Sequence, residues 1–302
     1  MHSWFWITGW FPTTLAVAGN ALVIWLIATR RRLRTTANWF VLSLAVADLC
    51  IGLFLFPILF TCKRRWFSCT TQNEHIISTW LSFFVHASAA NLCAMTTDRY
   101  VAIAMPLKYI TCMTRKRSRR LIMAAWVFPA VLWILYTVLI LHFAASTSVV
   151  AFEILIKCAL EILPAVLLTT ATFHMLVIVR RHKKEISAVL ADLRYNRHTS
   201  KDSPSVVRRS PGTSSVTVIG AVVFAFILCY CVENYFSFCQ ICPLILADVV
   251  LLFLLINAAA NPIAYALLKK DIRREVRTLF EYYMKCNQEV NNRQTRGQDL
   301  QG

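Results

Sequence analysis

The chain gathers its apolar residues into seven blocks of about 20 residues, over 4–28, 39–60, 76–104, 121–143, 149–179, 216–238 and 244–268. A helix needs about that length to cross a hydrocarbon layer roughly 30 Å thick. Inside such a layer each backbone donor and acceptor must be satisfied by the protein itself, which leaves helices and closed barrels. No polar–apolar alternation runs through the blocks, so they read as helices. Composition agrees: 58% of residues are hydrophobic and 16% charged, where soluble domains hold about a half and a quarter. The first block has no basic segment ahead of it and continues into a basic loop, so it is expected to stay as a span rather than be cleaved as a signal peptide. The fold class expected is an all-α membrane protein, a seven-helix transmembrane bundle over 1–268.

The net charge of +17 raises the question of nucleic acid. Its distribution argues against it. Basic residues sit in alternate loops: Arg30–Arg34, then Lys108 with 115–120, then 180–209, then 269–277. Nucleic-acid binding wants them on one folded face, whereas the positive-inside rule puts such loops in the cytoplasm. The N-terminus is then outside and the C-terminus cytoplasmic, in a multi-pass protein. Lys63, Arg64 and Arg65 dissent, falling in the first outside loop. The inside loop 180–215 is rich in Ser, Arg and Pro and reads as a mobile linker. Its serines near basic residues are open to phosphorylation or to a plain solvated role. Residues 269–286 space Ile272, Val276, Leu279 and Phe280 as an amphipathic helix on the inner leaflet. Cys286 at its end carries a lipid or remains a cytosolic thiol. The polar tail 287–302 is expected to be disordered.

Asp98-Arg99-Tyr100 interrupts the third block near its cytoplasmic end. Mid-membrane charge costs about 2.5–3.5 kcal/mol even on the gentler scale. Near the interface Arg99 can snorkel and pair with Asp98, giving an element that is either closed or open to a partner. Together with further residues this resembles the rhodopsin-like (class A) G-protein-coupled receptors. Those residues are Gly19-Asn20 with Val23; Leu44-Ala45-Val46-Ala47-Asp48; Asp98-Arg99-Tyr100 with Pro106-Leu107; Trp126; Pro164; Phe226 with Cys229; and Asn261-Pro262-x-x-Tyr265. Any one is weak, but their order, distributed along the helices at the right spacing, is specific and spans nearly the whole chain. RTTANWFVLSLAVADL is nearest in flavour to biogenic-amine receptors.

The resemblance implies a receptor that transduces an extracellular ligand signal to a heterotrimeric G protein from the plasma membrane. It implies a switch at Asp98, Arg99, Tyr100, Asn261, Pro262 and Tyr265, with Pro106 and Leu107 on the partner. It implies a sodium ion among Asp48, Ser88, Asn257 and Asn261, whose oxygens suit a hard cation; the bland reading of Asp48 is a hydrogen-bonded buried carboxyl. No catalytic constellation is present, and an enzyme is not expected. No cofactor is required.

Departures from the family pattern are equally specific. Glu74 stands where the family carries its helix-three cysteine, and the second outside loop, about 144–148, has no cysteine. Cys62 with Cys69, and Cys239 with Cys242, are alternative pairs that spacing alone does not fix. Tyr230 and Val232 replace the family tryptophan and proline of helix six, Gly212 replaces its locking acid, and Thr172 replaces a tyrosine. A weak inactive-state lock and raised basal activity are expected. Leu81 stands in place of the amine-binding aspartate, and Leu255 in place of the retinal lysine.

Other candidates for a small ligand are His86, Lys157, Glu161, Tyr230, Glu233 and Asn234. Lys157 and Glu161 are four apart and so share a helical face; they either neutralise each other, or Glu161 or Glu233 acts as counter-ion to a small cationic ligand. The alternatives are a constitutively active or non-signalling orphan relative and, less favoured, a transporter or channel, for which repeated halves with broken helices would be needed. Membrane lipids are expected partners, and nucleic acid is not.

Overall fold

The computed structural model describes residues 3–63, 71–143, 147–197, 220, 222–224, 226–228 and 244–299. All regular structure among them is helical. In chain order the helices are α1 (Ser3–Thr8), α2 (Trp10–Thr29), α3 (Thr36–Cys50), α4 (Phe56–Lys63), α5 (Thr71–Ala104) and α6 (Pro106–Cys112). They continue with α7 (Arg115–Phe143), α8 (Thr147–Lys157) and α9 (Leu163–Arg197); the helical residues 220, 222–224 and 226–228 are α10. α11 (Leu244–Leu268) and α12 (Lys270–Asp299) complete the set. Two π-helical turns, Ile51–Leu55 and Cys158–Ile162, join α3 to α4 and α8 to α9, so each pair is one span with a local change of register.

Five stretches among the described residues are long and apolar enough to cross a membrane: Trp4–Thr29, Thr36–Cys62, Arg115–His142, Thr147–Val189 and Asp248–Leu267. α5 packs on α3, α7 and α9. Its polar residues Ser88, Asn91, Thr96 and Asp98 are all buried. α7 is the opposite case: Met123, Val127, Phe128, Val131, Ile134 and Leu135 are exposed. That inside-out pattern is what lipid requires, since apolar side chains cost nothing against acyl chains and polar ones must turn inward.

Side-chain bonds stitch neighbouring helices. Trp126 Nε1 donates to Ser43 Oγ at 2.9 Å, and Ser43 donates to Asn91 Oδ1 at 2.6 Å, tying α7 to α3 to α5. Asn20 Nδ2 donates across to the Ala258 carbonyl at 3.1 Å, a backbone acceptor in the turn before Pro262. Gly19 lets α2 approach there: a Cβ at that position would meet Pro262 Cγ at 2.7 Å. At the other face Gly9 ends α1 under the Phe56 ring, and Phe5, Trp6, Phe56 and Phe60 form one aromatic cluster.

Two boundaries differ from those read in the sequence. α9 continues through 180–197, a stretch assigned above to the mobile inside loop. The reason is local: HKKEISAVLADLRYNR has no Gly or Pro and is built mainly of good helix formers. α12 likewise runs past residue 286 to Asp299. Its apolar stripe divides as an interfacial helix requires, with Ile272 fully buried under the bundle and Phe280 63% exposed on the far side. Cys62 is disulfide-bonded to a residue outside the described set, where Cys69, Cys239 and Cys242 also lie. Cys50, Cys93, Cys112 and Cys158 are free thiols.

Gly19→Ala is expected to destabilise the bundle by about 1–3 kcal/mol, the usual range for overpacking a tight contact. Thermal unfolding in detergent measures it. Adding Pro262→Ala should restore part of the loss if the clash is with that ring; strict additivity of the two effects would refute the contact.

Candidate functional site

The inner end of α5 holds the charged pair. Asp98 accepts from Arg99 Nε at 2.8 Å and from an Arg99 terminal nitrogen at 2.5 Å, both on Oδ2. Its other oxygen accepts from the Tyr109 hydroxyl at 3.0 Å. The Asp98 side chain is fully buried while Arg99 remains 21% exposed. Tyr109 was not foreseen: it lies eleven residues on, past the break at Pro106, and only the fold of α6 brings it back. Pro106 sits at the first turn of α6, where its missing N–H costs nothing. Leu107 is 95% and Ile110 82% exposed, an apolar pair on the same short helix. Burial, and then the Asp98 charge, push the Tyr109 phenol up against the opposing effect of Arg99.

Beside this pair the chain closes on itself through Asn38. Asn38 Nδ2 donates to the Leu33 carbonyl at 2.8 Å and to Asp271 Oδ2 at 3.1 Å, and its Oδ1 accepts from Lys269 Nζ. The start of α3 is thereby fixed to the α11–α12 junction. Burial pulls the Lys269 ammonium down to about 8, with Asp271 and Asp98 opposing and Arg99 adding to the fall. None of these three residues was proposed as a site from the sequence, because each reads as an ordinary polar residue beside an apolar block until the junction buries it.

In mid-bundle, Asp48 is fully buried. Its two oxygens accept from Ser88 Oγ at 2.6 Å and from Asn261 Nδ2 at 2.6 Å. Asn257 is buried nearby on α11, and Asn261 Oδ1 has no partner. Three of the four residues expected around a cation are thus in direct contact, and the carboxylate, the hydroxyl and the unmet amide oxygen form a hard oxygen set. Tyr265, one turn beyond Asn261, is 1% exposed and points its hydroxyl at Met95 Sδ, 3.8 Å away. Pro262 lies within α11.

The outer half corrects one expectation. Lys157 and Glu161 do not share a face. The π-helical turn Cys158–Ile162 lies between them and breaks the 3.6-residue register on which the i,i+4 pairing rests. Lys157 instead pairs backward with Glu153 at 3.1 Å, which also bonds the Tyr136 hydroxyl. Glu161 turns inside, 6% exposed, with Oε1 3.3 Å from His86 Nε2.

His86 Nδ1 is 2.6 Å from the Ser82 carbonyl, which can only accept, so Nδ1 carries hydrogen. The His86 ring also packs on Trp133, with centroids 5.4 Å apart. Leu81 is buried on α5, and Asp248 is fully buried at the outer end of α11; as a lone acid in an apolar run, Asp248 carried the same signal that singled out Asp48. Tyr230, Glu233 and Asn234 lie outside the described residues, as does Gly212. The comparison of Glu161 with Glu233, and the helix-six lock, therefore fall outside this geometry.

Comparison with known proteins follows the same lines. Residues 19–265 match the family described as 7 transmembrane receptor (rhodopsin family). The octopamine receptor beta-2R of Chilo suppressalis is 27% identical over 300 residues, 86% of this chain and 75% of that receptor. The histamine H2 receptor of Cavia porcellus is 28% identical over 290 residues, 88% of this chain and 76% of its own length. The adenosine receptor A2b of Gallus gallus is 36% identical over a shorter stretch of 118 residues, 39% of this chain and 34% of that receptor.

Lys269 supplies a pH dependence. Its folded value, about 8, lies below the ordinary 10.5, so between those values the unfolded chain binds more protons and stability rises with pH. Below about pH 8 the buried charge is a full penalty, and it is relieved as pH climbs toward 10.5. The thermal midpoint of the wild type should therefore gain on that of Lys269→Met from pH 7.5 to 9.5 (roughly the window set by the two values). Parallel curves would show that Lys269 is not buried as a cation.

Proposed function

Because the chain belongs to the seven-transmembrane receptors of the rhodopsin family, we propose that it is a plasma-membrane receptor passing an extracellular signal to a heterotrimeric G protein. The N-terminus is outside, in line with the basic inner loops, and α6, Arg99 and the α9 extension face the partner. The observation that carries this reading is the closed Asp98–Arg99–Tyr109 arrangement. It holds the one intramembrane arginine of α5 against its neighbour, where a partner can take it over. Leu107 and Ile110 offer that partner an apolar contact on the same rim. A ligand drives the exchange only by binding the open and closed states unequally.

The ligand class proposed is a small cationic molecule held in the outer half of the bundle. Similarity to the octopamine and histamine receptors supports an amine-like ligand, although Leu81 cannot serve as the counter-ion. Glu161 is the described candidate. Its carboxylate already contacts His86 Nε2 at 3.3 Å, so a cation must compete with that contact. Sodium is proposed at Asp48, with Ser88, Asn257 and Asn261 contributing oxygens. A bound sodium would supply a fixed positive charge to a carboxylate that no protein cation approaches in the described contacts. Replacing sodium by N-methylglucamine should then lower the thermal midpoint of the wild type and leave Asp48→Asn unmoved; equal responses would remove the ion from this site.

Second-messenger output in cells without added ligand tests the coupling. Arg99→Ala should abolish basal output. Tyr109→Phe removes one hydrogen bond to Asp98, worth about 1.5–3 kcal/mol when the acceptor is charged, leaves the carboxylate dependent on Arg99 alone, and should lower basal output about tenfold or more. Output unchanged by both, at equal surface expression, would rule out this pair as the switch. Silence in every variant would instead favour a non-signalling relative.

A further inference from the structure

Lys269 is the residue on which α11 turns into α12. Its N–H donates to the Tyr265 carbonyl at 3.1 Å, and its carbonyl accepts from the Arg273 N–H at 2.8 Å. One residue thus closes the last turn of α11 and supports the first of α12. Arg30 pairs with Glu275 at 3.7 Å and holds α12 to the end of α2. With the backbone fixed from both sides, the Lys269 side chain is half-buried and its ammonium turns inward onto Asn38 Oδ1.

Asn38 is a neutral partner, and its amide nitrogen is already taken by the Leu33 carbonyl and Asp271. A neutral amide oxygen offsets only part of the cost of drawing an ammonium out of water. The charges that act on Lys269 are Asp271 of its own junction and, from α5, Arg99 and Asp98. Both acids favour the ammonium, and Arg99 opposes it. Lys269 therefore stands within electrostatic reach of the pair that closes the inner end of α5. The Asp98 carboxylate is filled by Arg99 on one oxygen and Tyr109 on the other. While Arg99 is in place, Lys269 is a surplus cation beside a carboxylate already matched. Once Arg99 leaves, the balance inverts. Asp98 keeps a neutral hydroxyl that cannot offset its charge, and Lys269 loses the cation that repelled it.

We propose that Lys269 is the second cation of Asp98, a positioning residue that takes over the carboxylate's charge when Arg99 leaves it. Lys269 and Arg99 compete for one acid, so Lys269 stabilises the opened arrangement more than the closed one. The α11–α12 junction need not move: the lysine stem is flexible enough to carry the ammonium from the Asn38 oxygen toward Asp98. Departure of Arg99 makes Lys269 hold its proton more tightly, and by reciprocity a proton on Lys269 favours that departure. The consequence for signalling rests on the coupling reading proposed above; the charge relation itself does not.

The test is a double-mutant cycle on thermal midpoints of the full chain in detergent, with Lys269→Met, Arg99→Ala and both together. At about pH 7.5, where Lys269 is charged, Lys269→Met alone removes a surplus cation and should leave the midpoint unchanged or higher. In the Arg99→Ala background it removes the cation that Asp98 has come to depend on. It should then lower the midpoint by roughly 5 °C, as breaking a buried pair does in a chain of this size. Arg99→Ala should also shift upward the pH range in which the lysine protein gains on its methionine variant, because Arg99 no longer opposes the ammonium. A lysine that served only to pack the junction would show no such shift. Additive midpoints, or a pH range that stays put, overturn the proposal. If the double variant does not fold, Lys269→Arg in the Arg99→Ala background decides: folding as well as Arg99→Ala supports the proposal, and failure overturns it. In cells, Lys269→Met should lower basal output about fivefold, the low end of usual coupling between sites, and Lys269→Arg should retain it. Output lost in Arg99→Ala but unchanged in Lys269→Met overturns the inference and leaves the coupling reading standing. Output unchanged in Arg99→Ala overturns that reading, and the thermal cycle still decides the charge relation.

Discussion

The structure depends on one helix turning most of its polar side chains away from lipid and onto several neighbouring helices. α5 gives Ser88 to Asp48 and Asn91 to Ser43 on α3, and through Ser43 reaches Trp126 on α7. His86 goes to Glu161 in the π-helical turn before α9, Tyr100 to His174 on α9, Asp98 to Tyr109 on α6, and Met95 to Tyr265 on α11. In water such bonds contribute little net stability, because solvent competes for each group. In hydrocarbon the alternative is an unsatisfied group, so the same bonds fix which helices are adjacent and at what rotation. The apolar surface that faces outward adds no such specificity.

The two π-helical turns have opposite uses of the same geometry. Each inserts residues that shift the following helix in register. In the span of α3 and α4, the turn Ile51–Leu55 sets Gly52 against Ala16 and Val17, where a Cβ would meet Val17 Cγ2 at 2.9 Å, so the register change is absorbed in close helix packing. Between α8 and α9 the turn redirects a charged side chain. It sends Glu161 inward to His86 and leaves Lys157 at the rim with Glu153. A regular helix would have joined Lys157 to Glu161 and left His86 without its carboxylate.

The sequence carried the fold class and the contact between Asp98 and Arg99, because each follows from chemistry local to the chain. Asp48 was legible as a lone acid in an apolar helix, and Ser88 and Asn261 were found only through the family resemblance. What stayed hidden depends on tertiary return or on register. Tyr109 reaches Asp98 only after α6 folds back, Asn38 meets Lys269 and Asp271 across more than 230 residues, and the π-helical turn defeats a spacing rule that assumes uniform helix. The continuation of α9 and α12 was legible in helix propensity but outweighed by polarity, which marks exposure rather than loop.

The Asp98 carboxylate shows how Arg99 is held, among the described residues, by its own neighbour on α5. A buried carboxylate is stable only when its oxygens are occupied, and a buried pair that loses one member leaves the other uncompensated. Here one oxygen takes Arg99 and the other takes Tyr109, so Asp98 remains satisfied on one side while Arg99 leaves. Arg99 is partly exposed and can exchange its partner for water or for a protein acceptor at small cost, whereas Asp98 cannot move. Under the proposed coupling, this asymmetry makes Asp98 and Tyr109 the fixed seat of the switch and Arg99 the element that travels. Because Tyr109 belongs to the helix that also displays Leu107 and Ile110, a partner docking on those two side chains would pull on the seat itself. Contact at the rim and release of the arginine are thereby linked through a single hydroxyl group.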